Sequence, residues 1–412
     1  MRARAFPLAA ELVRAGNEVT IFLPPYDNLD DCGRAWEQEG VRIRNVGQEC
    51  DRTVRGWARL VLYLRMLSQL IGAVRQFHPD VVHVFKPKGF AGAAATYFLL
   101  CGRTPLVLDC DDWEGWGGWN QIKRYPWIAK EYIDRQERWL IKRAHAVTAA
   151  SWALGARAAN LRRKHSGVFY IPNCGASVEG RKVQDAVRSL AREDIRREFE
   201  FDGHPVVLYS GHFEDQESVD FFCRATARVA AKHGAVVAFI GNDAPRPIIR
   251  RHFHKAEGAH LRFFPQLPYQ EFLRLVRASD VAAFPYPDDP VHRAKCSARV
   301  TDYMAMERPV LTSAVGQNME YIVDGESGSL AAPDDESDFA AKLDRLLNEP
   351  GLRLMLGENA RARLLQKFDW AGEPLQQCLA AYHHALKTGG LLDMSRGEAI
   401  SEVTAPRDRS AA

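Results

Sequence analysis

The feature that most constrains this chain is a rhythm. Short apolar runs, Val19 to Leu23, Val41 to Val46, Val81 to Phe85, Pro105 to Asp109, Ala146 to Ala149 and Val168 to Ile171, alternate with longer amphipathic stretches. Strands of a parallel sheet are covered by helices on both faces, so they read as continuous apolar runs between helical patterns. After a charged, strand-poor segment, Glu179 to Phe201, the rhythm restarts with Val206 to Ser210, Val236 to Ile240, Leu261 to Phe264, Val281 to Phe284, Pro309 to Ser313 and Gly328 to Ala332. The expected fold class is α/β, with two doubly wound, Rossmann-like domains at 1–178 and 203–370 and a linker at 179–202. A chain of 412 residues is long enough to bury two such cores. Asp338 to Leu347 and Pro350 to Lys367 read as terminal helices. One further helix, within 371–387, carries Pro374 at a first helical position and is expected to pack back towards the N-terminal domain. Residues 388–412 lack periodicity and read as a disordered tail.

The beginning breaks the pattern. Arg4 to Ala15 reads as a helix ending at Gly16, ahead of the strand at Val19, whereas a doubly wound sheet starts with its central strand. The first strand of the N-terminal domain is therefore missing, together with the glycine loop that would follow it, and its neighbours lack a hydrogen-bonding partner. Extending the reading frame upstream is expected to supply an apolar run and a Gly-rich turn.

A net charge of +3 gives no overall basic excess for nucleic acid. Eight scattered cysteines without a CxxC pair read as reduced thiols. With no apolar run of spanning length and no signal pattern, the expected location is cytoplasmic, with the inner face of the membrane as a docking place.

Chemistry concentrates in two segments. In Lys295-Cys-Ser-Ala-Arg299-Val-Thr-Asp302, residues 285–296 read as a loop after a strand and 297–306 as a helix whose N-terminal amides face the crevice, an anion site. Lys295 and Arg299 share one face of its first turn, within reach of a diphosphate, with Asp302 placed to accept from sugar hydroxyls. The second segment, Asp109-Cys-Asp-Asp-Trp-Glu114, is an acidic cluster at a strand's carboxyl end that reads as a sugar-hydroxyl or metal site, with Lys86 and Lys88 at the mouth of the neighbouring strand. His83, on an apolar strand, reads as a core histidine. Trp113 to Trp152 holds six of the nine tryptophans together with Lys123, Arg124, Lys130, Arg135, Arg138, Lys142 and Arg143. It reads either as a surface for a membrane or polyisoprenyl phosphate, or as a core-packed aromatic face with a solvated basic side. Arg55 to Arg75 admits the same two readings.

Arg299 to Val310, Gly316 to Ile322 and Asp324 to Leu330 resemble the C-terminal half of glycosyltransferase family 4, with its Lys-x-x-Glu-Tyr-Met-Ala-x-Gly-x-Pro-Val helix, Gly-Gly-x-x-Glu-x-Ile turn and Asp-Gly-x-x-Gly-x-Leu strand. Pro79 to His83, Glu137 to Ser151, Ile171-Pro-Asn173, Tyr209-Ser-Gly211 and Ile240-Gly-Asn242 extend the resemblance in order along the chain. It implies the GT-B fold, two Rossmann-like domains facing a cleft, and a retaining glycosyltransferase that uses a nucleoside-diphosphate sugar and a glycan or lipid-linked acceptor. Neither cofactor nor metal is implied. By resemblance, Gly211, His212, Asn242, Ser297, Asp302, Gly316 and Gln317 face the donor, Asp302 at the ribose. Asp111, Lys295 and Arg299 are the catalytic candidates, and Lys86, Lys88, Asp112 and Trp116 lie on the acceptor side. The chain departs from the pattern at Gly211-His212 and Glu217-Ser218, where many members carry Gly-Arg and Lys-Gly, and at Ala294, where many carry an acid. These departures leave open a degenerate, non-catalytic protein of the same fold.

Overall fold

The computed structural model describes residues 3–24, 31–47, 56–201, 203–211, 213, 216–242, 244–254 and 256–389. Each apolar run is a strand. The N-terminal domain holds β1 (Thr20–Leu23), β2 (Ala35–Gln38), β3 (Val41–Asn45), β4 (Val82–Phe85), β5 (Leu106–Cys110), β6 (Ala146–Ala149) and β7 (Val168–Tyr170). The C-terminal domain holds β8 (Val206–Ser210), β9 (Val236–Ile240), β10 (His260–Phe264), β11 (Val281–Phe284), β12 (Val310–Ser313) and β13 (Ser329–Ala331). Only β2 was not foreshadowed by an apolar run. It pairs antiparallel with β3 and exposes all of its residues, so burial imposes no pattern on it.

The C-terminal sheet runs β10-β9-β8-β11-β12-β13, all parallel. Its strand order reverses between β8 and β11. In an open α/β sheet the ligand crevice opens at that point, beyond the carboxyl ends of the strands.

The N-terminal strands fall into two sheets, β1-β3-β2 and β4-β5-β6-β7. β1 and β4 both stand at an edge of their sheets, and among the described residues no strand joins the two. The buried Thr20 hydroxyl has no hydrogen-bond partner among the described residues.

Residues 179–202, read as a linker, largely form the helices Val178–Arg188 and Arg192–Glu198. They belong physically to the C-terminal domain, because Arg192 and Arg196 grip Asp280 at 2.7 and 3.1 Å while the same carboxylate accepts the Val206 amide. The loop expected at 285–296 contains the short helix Pro290–Ala294, capped by Asp289. The last helix, Glu373–Thr388, buries Ala381 and Ala385 against Val107 and Ala146 of the N-terminal sheet. The tail from residue 390, like His212, lies outside the described residues.

Just ahead of the first helix, Ala5–Arg14, a buried Arg4 donates to both oxygens of Asp109, at 2.7 and 2.6 Å, and to the Ile171 carbonyl at 2.6 Å. Thr148 donates to the same carboxylate at 2.6 Å. His83 lies between Thr148 and Tyr382, at 3.2 and 3.0 Å, and burial lowers it to about 4, with Arg4 adding to that effect against the pull of Asp109. It is a neutral core histidine. Asp109→Asn strands a buried guanidinium, and we expect it to cost about 3–5 kcal/mol of stability, read as a lowered thermal midpoint.

Candidate active site

The crevice at the β8/β11 switch point is built first by backbone. The helix Ala298–Ala305 starts there, with Ser297 at its N-cap making no side-chain cap bond. Its buried face carries Tyr303, whose hydroxyl burial lifts to about 12 while the nearby Arg299 charge pulls it down. Arg299 therefore lies one turn nearer the helix start, close to the Tyr303 hydroxyl that Ser210, at the end of β8, also reaches. Lys295 precedes the helix, its ammonium 4.8 Å from the Tyr286 ring and 5.7 Å from that of Trp119. Among the described residues, neither Lys295 nor Arg299 is paired with a carboxylate. Two cations beside helix N-terminal amides are an arrangement that can hold an anionic group.

Asp302, one turn on, accepts from Tyr269 at 2.7 Å and from Gln184 at 3.3 Å, which aims it at the turn between β10 and the helix Tyr269–Ala278. Asn242, at the end of β9, accepts the Gln266 amide of that turn at 2.8 Å. Gly316 has a φ of 52°, and a Cβ there would lie 2.5 Å from the Arg293 carbonyl, so only glycine lets this turn close on the loop before the helix. Gln317 is buried, and its amide donates to Tyr170 of β7. Its amide nitrogen thus bonds between the domains, while its Oε1 has no partner among the described residues. Glu217 is exposed in the first turn of its helix, so its charge is in water.

The opposing wall is the end of β5. Lys86 lies 3.5 Å from Asp111 and 3.2 Å from Asp112, and Lys88 pairs with Glu114. Burial, together with the charge of Asp112, lifts Asp111 to about 7, and its Oδ1 has no partner among the described residues. Burial opposes the charge on Lys86, but Asp111 and Asp112 outweigh it and hold the ammonium above its ordinary value. Among the described residues no three His, Cys, Asp or Glu side chains gather as a metal site.

Beyond these carboxylates the loop is tied to the helix Trp127–Arg143. Glu137 accepts the amides of Glu114 and Gly115, at 2.9 and 3.1 Å, and the Arg157 guanidinium at 2.6 Å. Trp116, expected on the acceptor side, is held against that helix through Glu131 at 3.1 Å and Asp134 at 3.0 Å. Trp119 is the tryptophan that reaches Lys295. A Cβ on Gly118 would sit 2.0 Å from the Trp113 carbonyl, so the chain turns tightly there to place it.

Two residues noticed only as parts of motifs join the walls. Ser151 donates to the Ala294 carbonyl at 2.7 Å. Asn173 donates from its side chain to the Cys296 carbonyl at 2.7 Å and from its amide to the Cys296 sulfur at 3.3 Å, and its own carbonyl accepts from Tyr321 at 2.5 Å. Together they clamp both sides of Lys295. Spacing along the chain could mark these residues but could not give their partners, which lie 123 to 148 positions away.

The profile of the family described as "Glycosyl transferases group 1" matches residues 191–363, and that of the "Glycosyl transferase 4-like domain" matches residues 1–174. The chain is a GT-B glycosyltransferase. It is 27% identical to the glycogen synthase of Mycobacterium tuberculosis over 384 residues, which cover 88% of this chain and 86% of that one. Among solved structures it is similar to sucrose-phosphate synthase from Thermosynechococcus elongatus, with a TM-score of 0.67 at 19% identity and 91% of each chain covered. It is also similar to Anabaena Alr3699/HepE in complex with UDP and glucose, with a TM-score of 0.65 at 15% identity, covering 92% of this chain and 94% of that one. The GT-B enzyme acts on nucleotide-sugar donors.

Because the folded state holds the Asp111 proton more tightly than the unfolded chain, native stability falls as pH rises from 3.8 towards about 7, and the loss is complete above that. Asp111→Asn keeps the neutral form throughout. Its thermal midpoint relative to the parent is expected to rise across this window and level off beyond it, and a constant difference would contradict the assignment.

Proposed function

We propose that this GT-B enzyme is a retaining hexosyltransferase that carries a sugar from a nucleoside diphosphate to a glycan or lipid-linked acceptor. The observation that supports it is the unpaired pair Lys295 and Arg299 beside the amides of the Ala298–Ala305 helix. As the bond between the anomeric carbon and the phosphate oxygen breaks, its electron pair leaves with the diphosphate. Those two cations and the amides then face the charge that develops. The acceptor hydroxyl forms the new bond on the same face, and its proton passes to the departing phosphate oxygen, so no separate base is required. Asp302 holds the donor ribose. Asp111, ionised above about pH 7, accepts from a sugar hydroxyl and faces the positive charge that develops on the ring. Lys86 and Asp112 hold the acceptor hydroxyls, with Trp119 beside them.

HepE, of the same fold, is known in complex with UDP and glucose, which makes a uridine-diphosphate sugar the first donor to try. Arg299→Ala is expected to lower kcat/KM for the donor about a hundredfold, while Trp116→Ala leaves donor binding unchanged. Equal losses in the two variants would remove the site assignment. Proton NMR of the first-formed product is expected to show the donor's anomeric configuration, and inversion would overturn the retaining mechanism.

A further inference from the structure

The two segments that admitted either a membrane or a core reading meet in space. The helix Trp57–Phe77 follows β3 and the helix Trp127–Arg143 follows β5. Each starts at the carboxyl ends of parallel strands, so the opening turns of both lie on the cleft side of the domain. Both pack on the helix Gly89–Cys101 between them. Tyr63 of the first stacks on Phe90, with ring centroids 4.3 Å apart, while Gln136 of the second approaches Gly92 and donates to Tyr132 at 2.9 Å.

The outward faces of these opening turns are apolar. Trp57, Leu60, Val61 and Leu64 recur at helical spacing on the solvent side, with Trp57 83% and Val61 64% exposed. On the second helix, whose Tyr132 lies near enough to Tyr63 to act on its hydroxyl, Trp127 is 68% and Ile128 77% exposed, with Tyr125 and Tyr132 also open to solvent. These residues are not the core face of either helix, since Met66 and Leu70 fill that role on the first and Leu140 and Ile141 on the second. The core reading therefore holds for the inner faces only.

Among the described residues the charges around these turns are mainly cationic: Arg65, Arg124 and Arg135 are exposed, while Glu131 is engaged by Trp116 and Arg135. Helical turns that show tryptophan, tyrosine and aliphatic side chains outward, with cations predominating around them, match the boundary of an anionic bilayer, where apolar groups enter the acyl region and cations meet phosphates. No helix among the described residues is long and apolar enough to cross a membrane, so the contact would be peripheral.

We propose that the opening turns of the Trp57–Phe77 and Trp127–Arg143 helices form one docking surface for an anionic lipid bilayer, beside the acceptor wall of the cleft. The proposal deepens the acceptor reading above, on which it rests for its purpose: a lipid-linked acceptor would reach Lys86 and Asp112 from the membrane plane. Its test uses neither donor turnover nor acceptor, so the two can fail separately.

The full chain is floated with phosphatidylcholine vesicles, with and without phosphatidylglycerol. Wild type is expected to float with the anionic vesicles and to be released as salt rises. The combined variant Trp57→Ser, Val61→Ser, Trp127→Ser and Ile128→Ser is expected to lose about tenfold or more in vesicle affinity, while its thermal midpoint and its stabilisation by donor stay unchanged. Arg124→Glu, at an exposed position, is expected to weaken only the anionic component. The proposal is overturned by an absence of flotation with anionic vesicles, by flotation that both variants leave intact, or by a dimer in light scattering that the serine substitutions disperse.

Discussion

The guanidinium of Arg4 is the interaction on which the rest of the molecule depends. It is buried and makes four hydrogen bonds, two to Asp109, one to the Ile171 carbonyl and one, at 3.4 Å, to the Asn173 side chain. Desolvating a charge is tolerable only when its partners are fixed, and so the start of the chain, the end of β5 and the segment after β7 are held to one geometry. Asn173 then carries that geometry across the cleft to Cys296, next to Lys295. Because the N-terminal strands are split into two sheets, this polar tie takes on work that a continuous ladder would otherwise share.

The two walls of the cleft differ in how their charges are balanced. On the N-terminal side Asp111, Asp112 and Glu114 already have lysine partners, which suits a wall that meets neutral sugar hydroxyls. On the C-terminal side Lys295 and Arg299 have no carboxylate partner among the described residues, which suits a wall that meets a diphosphate. With Glu217 in solvent, the proposed phosphate recognition rests on these two cations and the helix amides. Aromatic rings on either side of Lys295 keep it in the cleft without neutralising it, because a ring face attracts a cation but leaves its charge available.

Aromatic and basic residues serve three separate ends along residues 113–152. Trp113 lies under Arg157, Trp116 is pinned to the helix behind it, and Trp119 faces the C-terminal domain. Trp127 and Ile128 face solvent. Composition describes all of these alike; what separates them is which helix face each occupies and what lies opposite.

The sequence by itself determined the α/β class and the order of nearly every strand. Both are written locally, in apolar runs and in the amphipathic stretches between them. Tertiary structure alone decided that 179–202 docks as helices on Asp280, that β2 forms at an exposed edge, and that Gln317 bonds to Tyr170. It also decided that Trp119 rather than Trp116 reaches across the cleft, and that Ser151 and Asn173 hold the loop around Lys295. Apart from β2, whose exposed residues carry no burial pattern, the physical reason is the same in each case: a hydrogen bond or ring contact between residues 84 or more positions apart leaves no period in either segment, whereas burial of a helix or strand face does.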